Sequence, residues 1–415
     1  MNAFRPTLDW IDSQHARMVE VVQGWSAINS GSTNTAGLAT MLTALRQAFT
    51  PLGGRLEEID LAPREVVRDD GTVASEPLGK ALRLTKQADA RHRVLLAIHM
   101  DTVFGPDHPF QRPRAIDANT VNGPGVADAK GGLAILLVAL EALERSPVAD
   151  EIGFQVLINP DEEIGSPGSA PLLDEAAQWA DLGLLYEPAL ADGTLAGARK
   201  GSGNFTAVVR GRAAHAGRAF DEGRNAVAAL ARFIAGIDAL NGRRAGATVN
   251  PARVTGGSAN NIVPDLALVH FNLRMTTPQD RDWLWTEIER VRAQVAAEDD
   301  IDIDLHGRFT RPPKLLNRAQ EQLYEALAQC GSELGLQLAW KATGGCCDGN
   351  NLAAAGLPNI DTLGARGGAI HSPDEFLLLD SLTERAKLSA LFLMKLAAGE
   401  IAWPEPAGPR MEKDG

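Results

Sequence analysis

Short apolar runs bounded by polar turns alternate, over the first half of the chain, with stretches whose apolar positions recur every three or four residues. The runs RVLLAI at 93–98, GFQVLINP at 153–160 and LGLLYEP at 182–188 show no polar alternation, so each predicts a strand covered on both faces. Shorter strands are expected near 54–60 and 81–85. An opening helical region covers about 7–50, where TNTAGLATMLTALRQAF is amphipathic, and GGLAILLVALEALERS reads as a helix opened by glycines. Strands alternating with helices predict a three-layer α/β unit, with its chemistry gathered where strands reach their carboxyl ends.

The pattern changes at about residue 199. FTAVVRG is a strand, NAVAALARFIAGIDAL an amphipathic helix, ATVNPARVTGG and LALVHFNLRM two strands, PQDRDWLWTEIERVRAQVAAE a second helix and IDIDLHGRF a final strand. That β-α-β-β-α-β order is the ferredoxin-like α+β arrangement. The α/β pattern then resumes, with a helix at 317–335 and strand-like segments before DTLGA and HSPDEF. Residues 1–198 and 310–403 are therefore expected to form one domain, with 199–309 inserted into it. The closing residues 404–415, polar and bearing proline and glycine, are expected to be a disordered tail.

Composition narrows the choice of function. A net charge of −13 over 415 residues leaves no basic stripe for nucleic acid, which is bound by displacing its counterions. The longest apolar run, LAILLVAL, is far short of the roughly 20 residues that cross a bilayer. No apolar secretory core interrupts the polar N-terminus, and three cysteines, two adjacent at Cys346 and Cys347, make no disulfide framework. A cytoplasmic protein with no membrane or nucleic-acid partner is expected.

Against that background the polar residues at the strand ends stand out. LLAIHMDTVF ends its strand in His99 and Asp101; VNGPGVADAKGG sets Asp128 in a glycine-rich turn; QVLINPDEEIGS carries Glu162 and Glu163; LGLLYEPA carries Glu187; GGAIHSPDEF carries His371. Each taken alone is ordinary: a buried histidine paired with a carboxylate, or an acid capping a helix. Converging on one sheet edge, two imidazoles and several carboxylates would need a cation to offset their burial. Imidazole with carboxylate is a zinc ligand set, and cobalt or manganese suits the same donors. Asp101 would accept the second ring proton of His99 and fix its tautomer.

The ordered set HMDTV, GPGVADAKGG, PDEEIGS, YEPA, GRAAHAG, GGSANNIVPD and IHSPDEF resembles the di-zinc exopeptidase and deacylase family of glutamate carboxypeptidase, acetylornithine deacetylase, succinyl-diaminopimelate desuccinylase and aminoacylase. It is most similar to the glutamate carboxypeptidase branch. The resemblance implies a zinc-exopeptidase-like catalytic domain with an inserted lid and dimerisation domain. It implies two Zn2+ per subunit, one held by His99, Asp128 and Glu187, the other by Asp128, Glu163 and His371, with Asp128 bridging. Glu162 matches the family's general base, and His215 matches a histidine that reaches across a homodimer to the scissile carbonyl. Asn261 and Arg274 match substrate-binding positions, the arginine suited to a terminal carboxylate. Lys200 and Asn204, at the opening of the insertion, are further hinge or substrate candidates. Arg366 is a candidate second anion contact, and the loop Gly344–Asp348 is expected beside the site. Relatives often carry a second acid after the bridging aspartate where this chain has Ala129; a cis peptide is still expected there.

The expected reaction is hydrolysis of the amide bond of an N-acyl amino acid or short peptide bearing a free carboxylate, with glutamate one candidate product. An aminopeptidase of the same fold, recognising an ammonium, is the nearest alternative. An inactive binding protein on a decayed scaffold would have lost ligands or base, and none of those positions is lost here. A purely structural zinc would call for a closed, cysteine-rich site.

Overall fold

The computed structural model describes residues 3–404, and positions 405–415, on which the expectation of a disordered tail falls, lie outside the described residues. At its centre is a six-stranded sheet whose spatial order is Arg55–Ile59, Ala81–Lys86, Gly153–Asn159, Arg93–His99, Leu182–Leu185, Asn359–Ile360. The last four run parallel, and the first two are antiparallel additions at one edge.

Strand Arg93–His99 explains the layering. Val94, Leu96 and Ile98 enter the large core with the helices Gly132–Glu144 and Asp380–Ala397, while Leu95 and Ala97 enter a smaller core beneath Ala170–Trp179 and Asp348–Ala354. Side chains alternate between the two faces of a strand, so an apolar run without alternation fills two cores at once. The opening helical region divides into Arg5–Asp12, His15–Ser26 and Thr35–Phe49, the last capped by Asn34, whose side chain accepts the Gly37 N–H.

The inserted region forms a separate four-stranded antiparallel sheet, ordered Thr248–Gly256, Leu266–Met275, Gly201–Arg210, Asp302–Arg311. Helices Ala226–Asp238 and Pro278–Asp299 pack on one face, around Phe205, Phe233, Phe271 and Ile288. The second helix starts at a reciprocal cap in which Thr277 and Asp280 exchange side-chain and backbone hydrogen bonds. This is the ferredoxin-like order read from the sequence, with its last strand running on to Arg311.

Of two further features, only the strand before HSPDEF was expected. A hairpin, Arg64–Val67 with Val73–Glu76, reaches the inserted sheet, where Arg210 Nη2 donates to Gly71 O at 2.5 Å. A second sheet of very short strands includes Thr120–Asn122, Arg366–Gly368 and Phe376–Leu378. It frames the turns that carry Asp128 and His371. Among the described residues no helix is long and apolar enough to cross a membrane.

Candidate metal centre

Three neighbouring parallel strands deliver their chemistry at the same end. His99 closes its strand and lies in register with Asn159, after which the chain turns through Asp161, Glu162 and Glu163; Glu187 follows Leu182–Leu185. Asp128 comes from the irregular turn Val126–Gly131 that precedes the helix Gly132–Glu144. Its backbone is fixed by Glu375, whose carboxylate accepts the N–H groups of Gly125, Ala127 and Asp128 at 3.0–3.1 Å. The Asp128–Ala129 peptide is cis, as expected. His371 sits in the tight turn after Arg366–Gly368 with φ of 63°, a left-handed conformation that aims its imidazole back at the cluster.

The structure brings His99, Glu163, Glu187 and His371 together around the Asp128 carboxylate. His99 Nε2 lies 3.0 Å from Asp128 Oδ1, and His371 Nε2 lies 3.3 Å from Asp128 Oδ2, so each oxygen faces a different imidazole. Glu187 Oε2 is 3.8 Å from His99 Nε2, and Glu163 Oε2 is 3.0 Å from His371 Nε2. One ligand atom each from His99, Asp128 and Glu163 falls within 4.8 Å of the others. Asp101, wholly buried, lies behind His99, with its backbone carbonyl 3.1 Å and its Oδ1 3.3 Å from Nδ1. Its oxygens also accept the N–H groups of Glu162 and Glu163 at 3.2 Å and the Ser32 hydroxyl at 2.7 Å.

Electrostatics in the cluster follow from burial and proximity. Burial pushes Glu163 up to about 8, reinforced by the charge of Asp128, and pushes Glu162 up to about 7, opposed by the Arg311 guanidinium. Burial would also raise Asp128, but hydrogen bonds from His371 and His99 hold it below the usual carboxylate range. Hydrogen bonds to Asp128 and Glu163 push His371 up to about 11. Among the described residues no lysine or arginine forms an ion pair with Asp128, Glu163 or Glu187. The nearest cationic partners of these carboxylates are the imidazoles of His99 and His371, and a divalent cation held among the same atoms would offset their burial. The donor set, nitrogen and oxygen without sulfur, fits such a cation.

The remaining candidates are dispersed. Arg274 reaches from the inserted sheet towards the Gly344–Asp348 loop, donating from Nε to Asn272 Oδ1 at 2.9 Å and from Nη1 to Cys346 Sγ at 3.1 Å. His215 is exposed, with Nδ1 accepting the Gly217 N–H at 3.1 Å, and Asn261 sits beside it, its carbonyl accepting the Ala216 N–H at 2.9 Å. Neither makes a hydrogen bond to the acidic cluster among the described residues. Lys200 lies at the entry to the inserted sheet, where its carbonyl accepts from Asn350 Nδ2 at 3.0 Å. Asn204 Oδ1 accepts from Asn272 Nδ2 at 2.7 Å. Arg366 pairs with Asp380 at 3.0 Å and Glu384 at 3.1 Å, carboxylates of this chain.

Sequence reasoning missed Ser32, Lys130, Glu375 and Arg311. Lys130 and Glu375 stood inside quoted motifs, ADAKGG and SPDEF, and that position was the available signal; Lys130 is fully buried and donates to Ser30 Oγ at 2.5 Å and to the Met100 carbonyl behind His99. Ser32 and Arg311 had none, because each meets the site only through the fold.

A buried and an exposed imidazole with buried carboxylates around one shared aspartate, at the carboxyl edge of an α/β sheet, define a hydrolase of the metallopeptidase kind. The family model for Peptidase family M20/M25/M40 matches residues 95–395, and the chain belongs to that family. It is 31% identical over 317 residues to carboxypeptidase G2 of Pseudomonas sp. (strain RS-16), covering 74% of each chain. It is 26% identical over 356 residues to succinyl-diaminopimelate desuccinylase of Acidovorax ebreus, covering 81% of this chain and 88% of the relative. The fold matches the aminopeptidase PepT from Bacillus cereus with a TM-score of 0.70 at 22% identity, over 92% of this chain and 99% of the other.

Proposed function

We propose that this enzyme hydrolyses the amide bond of an N-acyl amino acid or short peptide that carries a free carboxylate, with the residues around Asp128 placed so that they would hold two zinc ions. The observation that carries the reading is the Asp128 carboxylate itself, with one oxygen facing His99 and the other facing His371. His99, Asp128 and Glu187 would hold one ion, and Asp128, Glu163 and His371 the other; cobalt or manganese would suit the same donors. When bound, such a pair polarises a carbonyl and lowers the pKa of water to roughly 7.

The chain's own residues supply the rest. Asp101 accepts a hydrogen bond from the Nδ1–H of His99, which fixes the tautomer and leaves Nε2 as the ligand atom. Glu162, held beside the ligand Glu163, removes the proton from water and delivers it to the leaving amine. Arg274 receives the substrate carboxylate through its planar guanidinium, with Asn261 and Lys200 as further contacts. His215 stabilises the developing oxyanion from a second copy of the chain in a homodimer formed through the inserted region. That region would act as lid as well as dimer contact, closing over the substrate. Similarity to a carboxypeptidase and a desuccinylase supports a substrate carboxylate, with glutamate one candidate leaving residue. We place the reaction in the cytoplasm, in keeping with three free thiols.

The test is a Glu162→Ala variant assayed on N-acyl amino acids and on free and N-blocked dipeptides, with zinc content measured in parallel. The reading expects unchanged zinc content, kcat lower by about 10²–10⁴-fold, and turnover of N-blocked substrates by the native enzyme. Full activity in the variant would remove Glu162 from its role. Turnover of free dipeptides alone would favour the aminopeptidase.

A further inference from the structure

We propose that Arg311 is a positioning residue for Glu162, holding one carboxylate oxygen so that the other carries the proton in the reaction proposed above. Arg311 is the last residue of the inserted strand Asp302–Arg311, immediately before Pro312 and Pro313, and only 2% of it is exposed. Its Nη2 lies 2.9 Å from Glu162 Oε1 and also donates to the Glu162 carbonyl at 3.2 Å and to Ser166 Oγ at 2.9 Å. Nη1 lies 2.8 Å from Asp348 Oδ1 and 3.0 Å from Asn351 Oδ1. Asp348 is held in turn by Asn159 Nδ2 at 2.8 Å and Ser166 Oγ at 2.5 Å.

A guanidinium engaged on both prongs inside the protein has little left to offer a substrate, which separates Arg311 from Arg274. Gripping both the side chain and the carbonyl of Glu162 fixes the rotamer as well as the charge. The anchor on the other side is equally firm. Three residues along, Lys314 donates to the fully buried Asp361 at 2.7 Å, where Arg199 from the first crossing also binds at 2.9 Å. The two crossings are paired by backbone hydrogen bonds between Arg199 and Lys314 at 2.9 and 3.0 Å. Arg311 thus spans from the inserted sheet to Glu162 at a point where the connecting chain is pinned, and the attitude of that sheet reaches Glu162 through it.

The inference rests on Glu162 being the proton carrier, and a double-mutant cycle separates the two claims. Native, R311K, E162Q and the double variant are compared as zinc-loaded full-length enzymes. Lysine keeps the charge but cannot reproduce the two-pronged grip, so R311K should lower kcat by about 10-fold or more, with KM within about twofold and zinc content unchanged. In the E162Q background the same change should cost less than about twofold, because the group it positions has gone. If the two losses multiply, or if R311K raises KM and leaves kcat alone, Arg311 does not act through Glu162 and the proposal is overturned while the reading of Glu162 survives. If E162Q alone keeps full activity, the reading of Glu162 fails and this proposal falls with it. Should R311K not fold, D348N, which loosens Arg311 from behind, carries the same pair of expectations.

Discussion

Oδ1 of Asp101 lies 3.3 Å from Nδ1 of His99, and the same carboxylate accepts the backbone N–H groups of both Glu162 and Glu163. One buried group therefore sets the orientation of the imidazole and the path of the acidic turn. An asparagine at this position presents an N–H2 where an N–H must be accepted. D101N should therefore weaken metal affinity by about 10–100-fold, as seen when the carboxylate behind a metal-bound histidine is lost. Competition with a chromophoric chelator measures it. Native affinity in D101N would mean that Asp101 only fills space.

Protons and metal compete for the cluster. In the metal-free protein His371 is held protonated up to about 11 by its hydrogen bonds to Asp128 and Glu163. His99 is likewise raised: burial opposes its charge, but Glu187 and the hydrogen bonds to Asp101 and Asp128 outweigh it. Both imidazoles should then lose a proton on loading, and so should Glu163, which burial pushes up to about 8, so that binding at pH 7 releases about three or more protons per chain. Titration calorimetry in buffers of different ionisation enthalpy reads the number; zero release would contradict the picture. The sign for stability follows. A pKa raised from 6.5 to about 11 gives the metal-free fold a contribution that is complete below 6.5 and fades as pH rises through 11. Melting of the metal-free protein between pH 7 and 11 checks it.

Asp361 joins Arg199 and Lys314, one from each chain crossing, with both contacts inside the protein. Removing it leaves two cations buried beside each other. D361A should destabilise the fold by about 3–5 kcal/mol, measured by urea denaturation. A loss below about 1 kcal/mol would mean that the crossings hold through their backbone bonds alone.

The sequence made some of this legible and concealed the rest for physical reasons. His99, Glu162, Glu163 and Glu187 were visible because a strand buried on both faces tolerates little but apolar side chains, so the polar residues just past its end are conspicuous. The inserted region was readable because its strands and helices run long enough for their periods to show. By contrast, Arg64–Val67 and Val73–Glu76 are four residues each and owe their place partly to contacts such as Arg210 with Gly71, far along the chain. The strands framing Asp128 and His371 are shorter still. Arg311 reaches Glu162 across a separation of 149 residues, and no local pattern encodes such a contact. The ion-pair partners of Arg366, Asp380 and Glu384, were hidden for the matching reason, since they lie too far along the chain to be suspected.

Everything proposed for this enzyme turns on Asp128 holding two ions at once. The direct measurement is an anomalous difference map at the zinc edge from crystals grown with zinc. The account predicts two peaks about 3.5–4 Å apart, one against each oxygen of Asp128, the first shared with His99 and Glu187 and the second with Glu163 and His371. A single peak, or density away from that carboxylate, would contradict it.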